Sequence, residues 1–307
     1  MLQKLIFKPG FNKMVTESGA ESQWVDGDNV RFRYGLPEKI GGWNQLTAAS
    51  KTLPGAARAQ HTWTSIAGEK YAAIGTSQGL FLYYGNDFYD ISPLDTAITG
   101  FTFTSTTGSA TVTVNKTSHG LLAGRYFTFS SVTLPGGGAT GYATTDFTTG
   151  AYEVVTADTN SFTITMASTE SGTGMTAAGA ATVNPYVEVG PTFQTAGYGW
   201  GTDSWSASTW GTESATSDVI LDPGNWSLDN FGEVLVATIF GGKTFTWNAG
   251  ASNARTIRAS TTTTNFQTTN NPTSSRLTQV SDRDRHLFHF GTETTIGDTT
   301  TVDPLFI

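Results

Sequence analysis

Apolar and polar residues alternate with a period of two along most of the chain. In "NVRFRY" (29–34), Val30, Phe32 and Tyr34 alternate with Arg31 and Arg33, the pattern of a half-buried strand. "EKIGGW" (38–43) can return beside it after a Gly35-Leu36-Pro37 turn, so the stretch from Trp24 to Trp43 reads as a hairpin. Val30 and Phe32 then face inward, and Trp24 and Trp43 act as structural anchors at its ends. Arg31 and Arg33 share the outer face, with Glu38 and Lys39 on the return strand. These four either pair across the strands or meet a partner's carboxylates or phosphates. Helical signal is nearly absent, because no window keeps apolar residues at 3.6 spacing beyond two turns.

Three later stretches share one design. "KYAAIGTSQGLFLYYGNDFYDI" (70–91) holds three strands separated by a Gly-bearing turn and an Asn86-Asp87 turn. "GEVLVATIFGGKTFTWNAG" (232–250) repeats it with strands Val234–Ile239 and Thr244–Trp247, and "DRDRHLFHFG" (282–291) begins it again. The separation from Val234 to His286 is close to the roughly 40–50 residues of a β-propeller blade. The expectation is therefore an all-β, β-propeller-like fold, partial or complete, with a β-sandwich of look-alike hairpins as the alternative.

Between the first two repeats the texture changes. From Ile98 to Thr182 about a quarter of the residues are Thr and charges are scarce. Five strands are expected there, at 101–106, 110–115, 125–132, 151–157 and 161–167, separated by the loops "LPGGGATG" and "STESGTGMTAAG". Repeat-like sequence flanks the block on both sides, so it reads as a small inserted β-barrel or β-sandwich. The organisation becomes 1–97 hairpin and first blade or blades, 98–182 inserted module, and 183–307 a Trp-rich loop with further blades. In that loop, "YGWGTDSWSASTWGTE" (198–213), Trp200, Trp205 and Trp210 recur every five residues. No regular element places every fifth residue on one face. Such indoles either anchor a neighbouring subunit or stack on sugar rings, and the interface reading is favoured. The apolar ending "TTVDPLFI" suggests a chain that continues or an end that docks on a partner.

Composition narrows the function. Net charge is -8 and the sequence pI about 4.9, against a general nucleic-acid grip. No Cys is present, which removes disulfides and thiolate metal sites. No run approaches the roughly 20 apolar residues of a membrane helix, so no membrane insertion by this chain is expected. Of the four His, His286 and His289 resemble a metal pair, but HxxH on a strand sends the rings to opposite faces. His61 belongs to no catalytic motif, and His119 in "TSHGLLAG" suits a turn hydrogen bond better than a general base. "VDGDN" resembles half of a calcium loop, yet the downstream ligands are missing, and turn chemistry explains it better. No nucleophile elbow, phosphate loop or zinc motif occurs. Catalytic residues, metals and cofactors are all expected to be absent.

Residues 8–46, "KPGFNKMVTESGAESQWVDGDNVRFRYGLPEKIGGWNQL", resemble the N-terminal segment of tail nozzle or tail hub proteins of short-tailed bacteriophages. "LYYGNDFYDISPL" (82–94) is similar to the close of their first blade, and "DPLFI" to a point where they continue into further strands. The resemblance implies a ring-forming virion subunit, usually a hexamer, around the DNA channel below the head-to-tail adaptor. It implies self-association, contacts with adaptor, other tail proteins and fibres, and non-specific passage of genomic DNA. Its role would be to retain packaged genome, pass it at ejection and mount fibres or a needle. A tail-fibre or adhesin module binding host glycan through the Trp-rich loop is the alternative. The Thr-rich block departs from the plain family pattern.

Overall fold

The computed structural model describes residues 7–42, 52–136, 140–190, 223–251, 254–261, 266, 271–281, 283–284 and 286–307. Trp43, Trp200, Trp205 and Trp210 lie outside the described residues. The chain forms two compact units, Met1–Lys51 and Thr52–Ile307. Regular structure is almost entirely strand, so the fold is all-β, and its small stacked sheets make it propeller-like.

In the first unit, β1 (Val30–Arg33) pairs antiparallel with β2 (Leu36–Lys39). The turn is Tyr34-Gly35 rather than Gly35-Leu36-Pro37. Both turn residues have positive φ, 51° and 80°, so a two-residue turn matches the strand twist and leaves Leu36 and Pro37 inside β2.

The second unit begins with a four-stranded meander, β3 (Ala57–Thr64), β4 (Lys70–Thr76), β5 (Leu80–Tyr84) and β6 (Asp87–Asp90). β3 is an addition to the three strands expected from the sequence. The chain then leaves through a neck in which Asp95 N–H donates to Pro185 O and Val187 N–H to Pro93 O.

The Thr-rich block forms one seven-stranded sheet: β7 (Ile98–Ser105), β8 (Thr111–Asn115), β9 (Tyr126–Thr133), β10 (Ala151–Glu153), β11 (Thr156–Ala157), β12 (Ser161–Thr165) and β13 (Ala178–Pro185). Their order is β10-β9-β13-β7-β8-β12-β11. The stretch 151–157, expected to be one strand, is therefore divided between the two edges, with Val154 and Val155 between the halves. The sheet curls until one short segment borders both its ends. The last strand runs past residue 182, and its start lies in a stretch expected to be loop. A short helix, α1 (Thr144–Thr148), was not expected either; it inserts Phe147 into the core, 4.7 Å between ring centroids from Phe103. The core inside the curl is dominated by Phe101, Phe103, Phe127, Phe129, Phe147 and Phe162.

After the neck, β14 (Trp226–Phe231), β15 (Val234–Ile239), β16 (Thr244–Asn248) and β17 (Ser260–Thr261) form a second four-stranded meander. It shares one core with the first, containing Trp63, Tyr71, Leu80, Leu82, Leu235 and Trp247. Trp226 closes this interface, its Nε1–H donating to Thr76 O at 2.9 Å. Gly75 permits the approach, since a Cβ there would lie 2.5 Å from the Trp226 ring. A third sheet, β18 (Leu277–Val280) with β19 (Leu287–Phe290), joins β14 through side chains. Ser227 Oγ donates to Thr278 O, and Asp229 accepts from Val280 N–H at 2.7 Å. Successive small sheets stacked in this way are blade-like.

One polar joint ties these parts together. Arg258 donates to Ser92 O (2.9 Å), Asp90 Oδ2 (2.8 Å) and the Tyr186 hydroxyl (3.2 Å), and stacks 4.8 Å over the Tyr186 ring. Asp90 ends the first meander, Tyr186 leaves the Thr-rich block, and Arg258 precedes the last strand of the second meander.

Candidate functional site

The hairpin residues singled out in the sequence come together on one ribbon. Pairing sets Val30 opposite Lys39, Arg31 opposite Glu38, Phe32 opposite Pro37 and Arg33 opposite Leu36. Paired residues share a face, so Arg31, Arg33, Leu36 and Glu38 form one side and Val30, Phe32, Pro37 and Lys39 the other. Arg31 Nε donates to Glu38 Oε2 at 3.0 Å, the cross-strand pair. Arg33 stacks on Tyr34 at 5.4 Å. Lys39 is exposed.

The opposite face packs on aromatic rings. Phe32 lies 5.2 Å from Phe11 and 6.4 Å from Trp24 between centroids, and Trp24 lies 5.2 Å from Phe7. Gly27 is pressed against Phe11, where a Cβ would meet the ring at 2.5 Å. Val30 and Phe32 are half-buried rather than buried. Lys13 pairs with Asp26 at 3.0 Å, and the Asp26 carboxyl is held below its usual range by that hydrogen bond and by Gly27 N–H.

The ribbon's edges differ. With a two-residue turn, Arg33 and Leu36 form a hydrogen-bonded pair, and Ile40 N–H donates to Asn29 O further along. The alternation then points the N–H and C=O of Val30 and Phe32 outward from β1. On the β2 side the corresponding residues are Pro37, which has no N–H, and Lys39, two features that blunt an edge. At the tip, Tyr34 is 92% and Leu36 69% exposed. Sequence patterning had assigned neither residue a contact role. The signal was available, since both are large apolar residues at or beside a turn.

Among the described residues, arrangements that could catalyse are few. Ser275 Oγ lies 3.0 Å from His289 Nδ1, with Glu293 nearby, which superficially resembles a nucleophile, base and orienting acid. Ser275 is 0% exposed, so substrate has no path to it. Glu293 instead accepts from Thr273 N–H (2.6 Å), Ser274 N–H (2.9 Å) and Gly297 N–H (3.1 Å). Burial raises its pKa, but these donors outweigh burial and hold it at about 2. Burial also depresses the His289 pKa, which keeps the ring neutral. This is a carboxylate that gathers loop N–H groups. Glu170 in the Thr-rich block is a second, accepting from Ser105, Thr140, Gly141 N–H and Gly172 N–H.

His119 and His61 are similarly engaged. His119 Nδ1 accepts from Leu121 N–H at 3.0 Å, the turn hydrogen bond, and the ring packs on Phe162. His61 Nε2 bonds Asn230 Oδ1 at 2.8 Å. Among the described residues no group of three or more His, Cys, Asp or Glu could hold a metal, and no helix is long and apolar enough to cross a membrane.

No protein-family model and no curated protein sequence matches the chain. Among solved structures, the chain is similar to a phage phi92 endosialidase at 14% identity and a TM-score of 0.23. The match covers 85% of this chain and 37% of the endosialidase, so the chain spans little over a third of that protein's length. An overlap this slight carries neither fold nor activity from one protein to the other.

Proposed function

We propose that the chain is a structural subunit of a short phage tail, of the nozzle or hub class, that assembles with copies of itself around the DNA channel. The observation that carries this reading is the β1–β2 ribbon. It holds the residues most similar to the tail-protein family, yet it leaves Tyr34 and Leu36 exposed, one strand edge open and Arg33 beside the tip. A two-stranded ribbon is marginal alone, and a large exposed apolar tip is unfavourable without a partner. The ribbon therefore suits a contact made on assembly. In this reading Arg31, Arg33, Glu38 and Lys39 border that contact, adaptor and fibre proteins are further partners, and DNA passes without specific recognition. The chain would act in the virion, without catalysis or a cofactor.

Imaging of virions carrying this protein with a bound label tests the reading. A ring of label at the tail below the portal, with six copies, is the expected result. Label at fibre tips, or a strictly monomeric protein at fewer copies than a ring needs, overturns it.

A further inference from the structure

A cleft of about 620 Å3 opens where β9 and the turn between α1 and β10 face β5 and β6. A second, of about 590 Å3, shares Tyr126, Thr149, Gly150 and Ala151 with the first, so the two are contiguous along that turn. Each lies within the roughly 300–1,000 Å3 of small-ligand sites. We propose that this groove binds a neutral oligosaccharide.

The lining chooses the ligand class. Tyr126 supplies a partly exposed ring, Phe81 and Tyr186 are nearly buried in the floor with Arg258 over the Tyr186 ring, and Thr128 and Thr148 supply hydroxyls. An aromatic face takes the C–H side of a sugar ring, and hydroxyls and carboxylates take its polar rim. The cation in the first cleft, Arg258, is already matched by Asp90 and bonded to Ser92 O and Tyr186, which leaves no net positive charge for an anion. The second cleft carries Asp146 and Glu153 and no cation among its lining residues. Each presents one carboxylate oxygen to a structural donor, Ala143 N–H at 2.8 Å and the Tyr126 hydroxyl at 3.1 Å. The other oxygen of each is left to accept from a sugar hydroxyl, and such charge-assisted bonds are strong. Two carboxylates without a cation repel an acidic sugar. Burial first, and the Glu153 charge next, raise the Tyr126 pKa to about 12, so its hydroxyl keeps its proton throughout the physiological range. A Cβ on Gly150 would meet nothing within 4 Å, so ligand can approach the backbone closely there.

The groove lies wholly within the Thr52–Ile307 unit and uses nothing of the ribbon, so its failure leaves the assembly reading standing. The test is saturation-transfer NMR on the full chain with maltotetraose, cellotetraose and N-acetylchitotetraose, beside tetrasialic acid as the anionic probe. At least one neutral probe should bind at millimolar concentration, with tetrasialic acid at least about tenfold weaker. Gly150→Trp fills the groove from an open position, and Tyr126→Phe removes the hydroxyl while keeping the ring. Gly150→Trp, with an unchanged melting temperature, should weaken binding at least about tenfold, and Tyr126→Phe by less. Binding of no neutral probe, a preference for tetrasialic acid, or undiminished binding by folded Gly150→Trp overturns the proposal.

Discussion

The curled seven-stranded sheet and the blade pair are both antiparallel and both built around aromatic residues, yet they enclose their cores differently. The first is one sheet curled on itself, with Phe rings that make no hydrogen bonds. Each blade-like sheet is open, and the face it packs against the other is held through Trp and Tyr side chains with polar ends. Trp226 reaches Thr76 O, Trp247 Nε1–H donates to Ala254 O and Ile257 O, and Tyr71 and Tyr84 share the Glu69 carboxylate. A strongly curled sheet encloses most of its core in itself, and apolar rings fill it. Two facing sheets must also be held in register, and aromatic residues with a directional donor do both.

The contrast is sharpest at Trp226. Trp226→Ala should cost about 3–5 kcal/mol through lost burial and the cavity left behind. The curled-sheet region 98–185 contains no Trp, whereas the blades hold Trp63, Trp226 and Trp247. Thermal unfolding of the variant should shift the Trp fluorescence transition down, while far-ultraviolet circular dichroism retains a later curled-sheet component. A single coincident transition would show that the two regions are one cooperative unit.

A smaller effect is expected at the joint between them. Arg258→Met keeps the stem volume but leaves Asp90 and Tyr186 without their cation, at about 1–3 kcal/mol. The separation between the two transitions should change in this variant, and an unchanged separation would mean that the neck alone couples curled sheet and blades.

Acid should act on both regions through the same device. Glu293 is held at about 2 in the folded chain against 4.5 for a free carboxyl. Its contribution is complete above about pH 4.5 and is lost as pH falls toward 2. The Glu170 pKa is lowered too; its burial acts upward, and the Gly141, Ser105, Gly172 and Thr140 donors prevail. Melting temperatures should therefore fall below pH 4.5, and Glu293→Gln should flatten that dependence in the blade transition alone.

The smallest effect lies outside both regions. Arg31 and Glu38 are exposed enough that solvent screens them, so Arg31→Ala should change stability by about 0.2–1 kcal/mol. If the ribbon is an assembly contact, the same substitution should alter oligomer yield in native mass spectrometry far more than it alters melting.

Much of the fold was legible where alternation is local. Val234–Ile239 is a strand with those bounds, and the strands of 70–91 and most of the Thr-rich block lie where period-2 alternation placed them. The misses have specific causes. Ala178–Pro185 is Ala- and Gly-rich at its start, with Gly179 at positive φ, so its side chains gave no alternating signal. The ribbon turn shifted because Pro37 reads as a turn residue, although an edge strand tolerates it on its open side. The joint of Asp90, Tyr186 and Arg258 had no sequence signal, because its members come from three distant segments.

The sequence by itself determined that the chain is all-β, where most strands run, and that one Thr-rich block differs in kind from its surroundings. Those properties follow from side-chain periodicity and turn residues, which act over a few positions. Tertiary structure alone decided that residues 151–157 border both ends of the curled sheet, that Trp226 fits over Gly75, and that a groove forms beside Tyr126 and Gly150. Period-2 alternation states which side of a strand is buried but not which strand lies beside it. That choice belongs to backbone hydrogen bonds and side-chain packing between residues far apart in the chain.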